Sequence, residues 1–249
     1  MNIAIDIGNT RSKLAIFNNN QIEDIVVDDF EVVFSSLKKI PFSSGIISNV
    51  GNSIYTKKLL SFSSKLLPMS HELKYPIVVK YRLFKSLGLD RIANVVGSYS
   101  LFPNEDNLII DMGTCITYDF INHQNQYLGG SISPGISLRF KALHTYTENL
   151  PEIKFDSNEK KLIGDSTHSG IESGVVNGVV EEIKGIIDNY QNLFPKTNII
   201  LTGGDTAFIK SIVSIKKNSI FAQENLTLIG LNSILNYNCL LYTSPSPRD

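Results

Sequence analysis

The sequence predicts an α/β protein made of two related halves. Three features lead there: β-branched apolar runs alternate with stretches of helical periodicity, an Asp-tipped strand-turn-strand pattern occurs twice, and glycine-dense turns follow several of the apolar runs. A length of 249 residues leaves room for one or two domains at roughly 150 residues each. The balance of 23 basic and 24 acidic side chains, net charge −1, argues against a broad basic surface for nucleic acid. No apolar run approaches the ~18 residues of a membrane span, and the first residues lack a basic segment followed by an apolar one, so a soluble, cytoplasmic protein is expected. Cys115 and Cys239 stand far apart with no C-x-x-C pair, which disfavours both a disulfide framework and a structural zinc site.

Residues 2–7 form the first apolar run, residues 8–12 supply turn chemistry, and a second strand runs over 13–17 into three asparagines. Residues 107–118 overlay 2–13, Asp111 on Asp6 and Gly113 on Gly8, at a constant offset of 105 residues. On this overlay the counterpart of Lys13 is Tyr118. Such a repeat predicts two domains of one architecture, 1–105 and 106–239, with a Ser/Pro-ending tail at 240–249 that carries no function. Between the hairpins, 45–50 reads as a buried strand, 53–67 as an amphipathic helix, 77–79 as a short β run and 92–100 as a helix stopping before Pro103. In the second half, 129–135 reads as a glycine-dense turn, 137–143 as a helix, 146–164 as a long surface loop and 171–190 as a helix. A strand over 198–202 then runs into Gly203, Gly204 and Asp205, and a helix follows over 206–213.

Asp6 and Asp111 end the first strand of each half, beside turns of glycine and hydroxyl residues. Hard carboxylate oxygens suit Mg²⁺, and the exposed amides of small-residue turns can approach phosphate oxygens. A single Asp-x-Gly reads as a turn cap; its recurrence at a fixed offset favours a site. Lys13 can neutralise phosphate charge. The chain holds neither a G-x-x-x-x-G-K-[ST] nor a G-x-G-x-x-G motif, so a phosphate site falls to the glycine turns at 113, 129–130, 135 and 203–204. Asp90, between Leu89 and Arg91, either caps a helix or accepts the proton of a substrate hydroxyl while Arg91 anchors an anion. Thr167 either hydrogen-bonds a substrate or caps the next helix. His71, His123, His144 and His168 show no ligand or triad spacing. Gly170, Gly174 and Gly178 share one helix face whose neighbours Glu172, Glu181 and Glu182 exclude lipid; the face suits close helix packing, including across a dimer interface.

The ordered motifs D-I-G-N-T-R-S-K (6–13), G-L-D-R (88–91), D-M-G-T-C-I-T (111–117), G-G-S-I-S-P-G (129–135), G-D-S-T (164–167), T-G-G-D (202–205) and N-L-T-L-I-G-L (225–231) resemble those of type III pantothenate kinases. That family lies within the superfamily of acetate and sugar kinases, Hsp70 and actin, and the resemblance runs from residue 2 to about residue 236. It implies two ribonuclease-H-like, actin-like ATPase domains with ATP in the cleft between them. It implies that Asp6, Ile7, Gly8, Asn9, Thr10, Arg11, Ser12 and Lys13 contact the ATP phosphates, with Asp6 holding Mg²⁺ directly or through water. By the same resemblance Thr114 touches ATP, Asp111 binds an activating monovalent cation, K⁺ or NH₄⁺, and Asp90 is the general base toward the primary hydroxyl of pantothenate. Tyr81, Gly88, Leu89, Asp90, Arg91 and Thr167 match substrate-contacting positions, and the family forms homodimers. No nucleic acid or membrane partner is implied. One departure stands out: family members usually carry proline four residues before the glycine of G-x-D-R, and here that residue is Phe84, which bears on the loop shape and the aim of Tyr81. Two alternatives remain: a non-catalytic nucleotide-binding regulator on the same fold, and a related kinase with another small-molecule substrate.

Overall fold

The computed structural model describes residues 1–8, 10–154, 161–204 and 220–243, the last three by backbone alone. They form two compact units. The first comprises residues 1–104 and 122–128 together with the chain from 225 onward; the second comprises 105–121 and 129–224.

In the first unit, β1 (Asn2–Ile7), β2 (Ser12–Asn18) and β3 (Gln21–Asp28) make an antiparallel meander. Asn19 and Asn20, at φ 48° and 69°, close the β2–β3 hairpin; paired left-handed residues suit the right-handed twist of the strands. After α1 (Phe30–Leu37), β4 (Ser44–Asn49) returns parallel to β1 on its other side. Then α2 (Ser53–Phe62) leads to β5 (Leu66–Pro68), completing the order β3-β2-β1-β4-β5 with β1 central. The helix expected over 53–67 therefore ends early. Ser63 is extended at its C-cap, and the chain from Leu66 pairs with β4 instead, where Gly45 lies so close to Leu66 and Ile3 that a Cβ would sit 2.6 Å from both side chains. Ile3, Ile5, Ile7 and Leu14 bury one sheet face beneath Phe30, Val33, Leu37 and Leu59.

The opposite face of the first sheet meets a helix pair. β6 (Val78–Val79) and a single 3₁₀ turn (Phe84–Ser86) precede α3 (Leu89–Leu101), which packs against the C-terminal helix, α6 (Leu226–Thr243). Glycine permits the closeness. A Cβ on Gly230 would stand 1.8 Å from the Ala93 carbonyl oxygen, and one on Gly97 2.4 Å from that of Leu226. The Thr227 hydroxyl donates to Asn94 Oδ1 at 2.7 Å, and Ser100 to Ser233 at 2.9 Å. Four amides, Asn2, Asn20, Asn232 and Asn236, tie the base of β1 and the β2–β3 turn to α6. Residues 240–243, expected to belong to a tail, continue α6; 244–249 lie outside the described residues.

The second unit repeats the plan. β7 (Asn107–Met112), β8 (Cys115–Ile121) and β9 (Gln126–Pro134) form a meander, and α4 (Ile136–Thr145) and α5 (Thr167–Leu193) precede β10 (Asn198–Thr202) and β11 (Ile220–Ala222). The order β11-β10-β7-β8-β9 is that of the first sheet, with β7 in the place of β1; β6 adds alongside the first residues of β9, Val78 opposite Gln126. Leu108, Ile110 and Met112 pack beneath Val175, Val179, Ile183 and Ile187 of α5. The glycine-dense turn expected at 129–135 is instead the end of β9. Gly129 takes φ 108°, and a Cβ on Gly130 would fall 1.6 Å from the Tyr118 carbonyl oxygen, so these glycines mark a close backbone approach within a strand. The helix expected at 206–213 lies outside the described residues.

The two hairpins differ by one residue. Asp6 pairs with Lys13 and Ile7 with Ser12, whereas Asp111 pairs with Thr117 and Met112 with Ile116. The positional counterpart of Lys13 is thus Thr117, not Tyr118: the shorter second turn slips the return strand by one and sends Tyr118 to the opposite, fully buried face.

Gly230→Ala should lower stability by about 1–3 kcal/mol or more, because backbone on both helices leaves no room to yield, whereas Gly185→Ala on α5, whose added Cβ meets nothing within 4 Å, should raise it by about 0.5–1 kcal/mol. Thermal unfolding of the two variants against the parent checks the opposite signs.

Candidate active site

Each unit presents an aspartate one residue before the end of its central strand. Asp6 stands between Lys13 on β2 and Ser48 on β4; Asp111 stands between Thr117 on β8 and Thr202 on β10. The neighbours make the two positions chemically different, since only the first has a cation across the ladder. After Asp6, Ile7 and Ser12 are buried, the Gly8 amide donates to the Arg11 carbonyl at 3.1 Å, and Thr10 and Arg11 are exposed at the tip. Asn9 lies outside the described residues. The loop at 49–51 lies against this turn: Val50 donates to the Ile7 carbonyl at 3.1 Å, and a Cβ on Gly51 would be 3.2 Å from the Gly8 carbonyl oxygen.

The second turn is confined by two further glycines. A Cβ on Gly203, at φ 107°, would sit 2.4 Å from the Met112 carbonyl oxygen, and one on Gly135 2.3 Å from that of Gly113, while the Gly135 amide donates to Thr114 at 3.0 Å. Three of the glycine turns singled out in the sequence, at 113, 135 and 203–204, therefore gather at one end of the second sheet; Gly129 and Gly130 do not. Gly113, Thr114 and Cys115 are exposed there. Beside Asp111, the Thr117 Oγ1 is buried with no hydrogen-bond partner among the described residues, and Ser48 Oγ beside Asp6 is in the same condition. An oxygen-rich corner of one carboxylate and an unsatisfied hydroxyl fits a monovalent cation. Among the described residues no group of three His, Cys, Asp or Glu side chains can hold a metal, so a Mg²⁺ ion would rest on one or two carboxylates, with water and phosphate oxygens as its other ligands.

Asp90 occupies the second position of α3, after the N-cap Gly88. Its Oδ1 accepts the Arg91 amide at 2.8 Å and lies where a Gly88 Cβ would be, 2.6 Å away, so only glycine admits the carboxylate in this pose. It forms no other hydrogen bond among the described residues, leaving Oδ2 available. Arg91 is buried at 5% exposure, with Leu89 half-buried beside it. Tyr81 is aimed by stacking, its ring 6.4 Å from that of buried Tyr127 and 15° from parallel. The loop between them keeps a tight turn without proline. The Leu83 carbonyl accepts Ser86 at 2.9 Å, which puts Phe84 second in the turn, the place proline favours, and the Phe84 ring packs edge-on to His71 and Tyr75.

Thr167 opens α5 but does not cap it. Ser166 is the N-cap, accepting the Ser169 amide at 3.2 Å, while Ser169 Oγ accepts the Ser166 amide at 3.0 Å. The exposed Thr167 hydroxyl takes no part in the cap, and the residue lines a surface cavity of about 750 Å³ with Arg139, Leu143, Tyr146, Gly170 and Gly174. An added Cβ on Gly170, Gly174 or Gly178 would meet no atom within 4 Å among the described residues, although Gly164 lies directly against the Gly170 backbone, where its own Cβ would fall 2.4 Å from the Gly170 Cα. Arg139, which the sequence reading passed over, is held by Glu182 at 2.5 Å, Ser133 at 2.9 Å and the Pro134 carbonyl at 2.9 Å, and Tyr118 donates to the other Glu182 oxygen at 2.8 Å. No motif in the sequence links these positions, which come from β8, β9, α4 and α5.

The comparisons agree with this architecture. The chain is 20% identical, at a TM-score of 0.61 over 96% of its length and 99% of the other's, to a structure described as a conserved putative Baf family transcriptional activator from Campylobacter jejuni. It matches the activator of the 2-hydroxyisocaproyl-CoA dehydratase from Clostridium difficile, solved with bound ADPNP, at 13% identity and a TM-score of 0.59, over 100% and 99% of the two chains. Likeness at these identities shows the fold alone: the mixed α/β, two-sheet architecture of the actin-like ATPases. The family model for type III pantothenate kinase matches residues 2–189. Type III pantothenate kinases of Flavobacterium johnsoniae and Christiangramia forsetii are 41% and 43% identical to it, covering 95% and 96% of the chain and 98% and 99% of the relatives. The chain belongs to the type III pantothenate kinase family.

Burial raises the pKa of Glu182, but hydrogen bonds from Arg139, Tyr118 and Ser133 together outweigh it and leave the carboxyl below its ordinary 4.5. A depressed carboxyl contributes stability that is complete above its unfolded value and is lost as pH falls through the folded one. Glu182→Gln should therefore flatten part of the stability loss below about pH 4.5, measurable as chemical unfolding at pH 3 to 6; an acid slope equal to the parent's would count against this coupling.

Proposed function

We propose that this chain transfers the γ-phosphoryl group of ATP to the primary hydroxyl of pantothenate, giving 4′-phosphopantothenate and ADP in the first step of coenzyme A synthesis. The observation that carries the residue assignment is the pose of Asp90, with one oxygen fixed by the Arg91 amide and the other available at the start of α3. In this reading the hydroxyl oxygen attacks the γ-phosphorus, the bridging bond to the β-phosphate breaks, and the hydroxyl proton passes to Asp90 Oδ2. Gly88, Leu89 and Arg91 shape the acceptor loop, Tyr81 and Thr167 contact pantothenate, and buried Arg91 supplies a fixed positive charge for an anionic group.

Residues 6–13 are assigned to the ATP phosphates. Exposed Thr10 and Arg11 and the Gly8 turn offer donors, Lys13 lowers the accumulated charge, and Asp6 suits Mg²⁺ directly or through water. Thr114, exposed on the second turn, is assigned to ATP as well. Asp111 with Thr117 suits K⁺ or NH₄⁺. Bound there, these cations supply charge neutralisation toward the transferring phosphoryl group. The uncovered glycine face of α5, continuous with the cavity at Thr167, supports a homodimer.

Pantothenate-dependent ADP release should be found, faster in K⁺ or NH₄⁺ than in Na⁺. Asp90→Asn should lower kcat by about 10²–10⁴-fold with ATP affinity retained; an unchanged kcat would remove Asp90 from its role, and absence of turnover with pantothenate in the parent would remove the substrate.

A further inference from the structure

We infer that His71 is a positioning residue for Asp90, acting through the loop that leads into α3. The inference rests on the reading of Asp90 as the base. His71 Nε2 lies 2.8 Å from the Leu87 carbonyl oxygen, one residue before Gly88, so Nε2–H donates into the junction between the 3₁₀ turn and α3. The same imidazole stands edge-on to Phe84, at 5.1 Å between ring centres and 89° between planes. One side chain therefore holds both ends of the Phe84–Ser86 turn: Phe84 by ring contact and Leu87 by its carbonyl.

Apart from the burial of Leu87, at 2% exposure, and the Tyr75 ring against Phe84, the loop is largely uncovered. Arg82, Leu83, Lys85 and Ser86 are exposed, Leu83 at 62%, and the turn's own bonds, Ser86 to Leu83 at 2.9 Å and Leu87 to Phe84 at 3.1 Å, are internal to it. His71, by contrast, sits on an anchored segment. Lys74 exchanges two backbone bonds with the Asn238 amide of α6, at 3.2 and 3.0 Å, and Tyr75 donates to the Ser70 carbonyl at 2.5 Å while its ring lies 6.1 Å from Phe84. Burial pushes the Tyr75 hydroxyl up to about 12, which keeps it neutral and a donor. A physical chain thus runs from α6 through 70–75 to His71, then to Leu87, Gly88 and the Asp90 carboxylate resting on Gly88. A displacement of about 1 Å at a reacting group can cost roughly a hundredfold in rate, so a loop released at Leu87 should show in kcat.

The test is a double-mutant cycle with Asp90. His71→Ala should lower kcat about tenfold and raise the pantothenate KM, with the ATP KM unchanged. In the Asp90→Asn background, the same substitution should change kcat less than about twofold, since the base it positions is gone. His71→Gln, whose amide N–H reaches the place of Nε2–H, should restore most of the loss. The inference is overturned if His71→Ala keeps the parent's kcat and pantothenate KM. It is overturned equally if the loss is the same in both backgrounds, or if Gln rescues nothing while both variants melt like the parent. If Asp90→Asn itself is as fast as the parent, the base assignment fails first, and the two failures are told apart by that single variant.

Discussion

Strand register at the two central hairpins is the constraint on which the remaining structure depends. β1 and β7 are buried on both faces, so a slip of one residue would exchange two packed sets of side chains, and the observed pairing carries an aspartate to the same end of each central strand. The two hairpins then diverge through a single residue of turn length. Lys13 stands opposite Asp6, while the shorter second turn puts Thr117 opposite Asp111 and drives Tyr118 into the core. A duplicated scaffold thus becomes chemically unequal: both carboxylates stand beside a buried hydroxyl with no partner among the described residues, Ser48 at Asp6 and Thr117 at Asp111, but only Asp6 has a lysine across the ladder.

Glycine serves two ends in this molecule. At Gly97, Gly230, Gly135 and Gly203 its value is the missing Cβ, which lets backbone approach backbone and so fixes α3 on α6 and the Gly113 turn beneath its neighbours. At Gly88 it makes room for the Asp90 carboxylate. At Gly174 and Gly178 of α5 it does neither among the described residues, and Gly174 lines the same cavity as Thr167. The α3–α6 contacts are close and rigid, whereas the residues at 82, 83, 85 and 86 before α3 are exposed, so the start of α3 joins a fixed helix to a sparsely covered loop.

Much of the architecture was legible beforehand because it rests on local pattern. The 105-residue repeat, both hairpins, α3 and α5 follow from alternation, turn residues and 3.6-residue periodicity. The misreadings share one cause. Residues 63–67 continue a helical pattern, yet pairing with β4 makes 66–68 a strand. Gly129 and Gly130 look like a turn, yet the Tyr118 backbone beside them makes them part of β9. Of the two readings open for Thr167, the cap is taken by Ser166 with Ser169. In every case a partner distant in sequence, or one residue of offset, overrode a local signal.

By itself the sequence determined the α/β class, the duplication, the placing of Asp6 and Asp111 at strand ends and of Asp90 at a helix start, and the family motifs, because each is a matter of order and spacing along the chain. Tertiary structure decided which hydroxyl neighbours which carboxylate, which glycines admit backbone contact, how Arg139 is held and what steadies the loop before Asp90. Those depend on groups that meet only when strands pair and helices pack, His71 with Leu87 and Asn238 with Lys74 among them, and no spacing in a linear chain encodes a meeting of that kind.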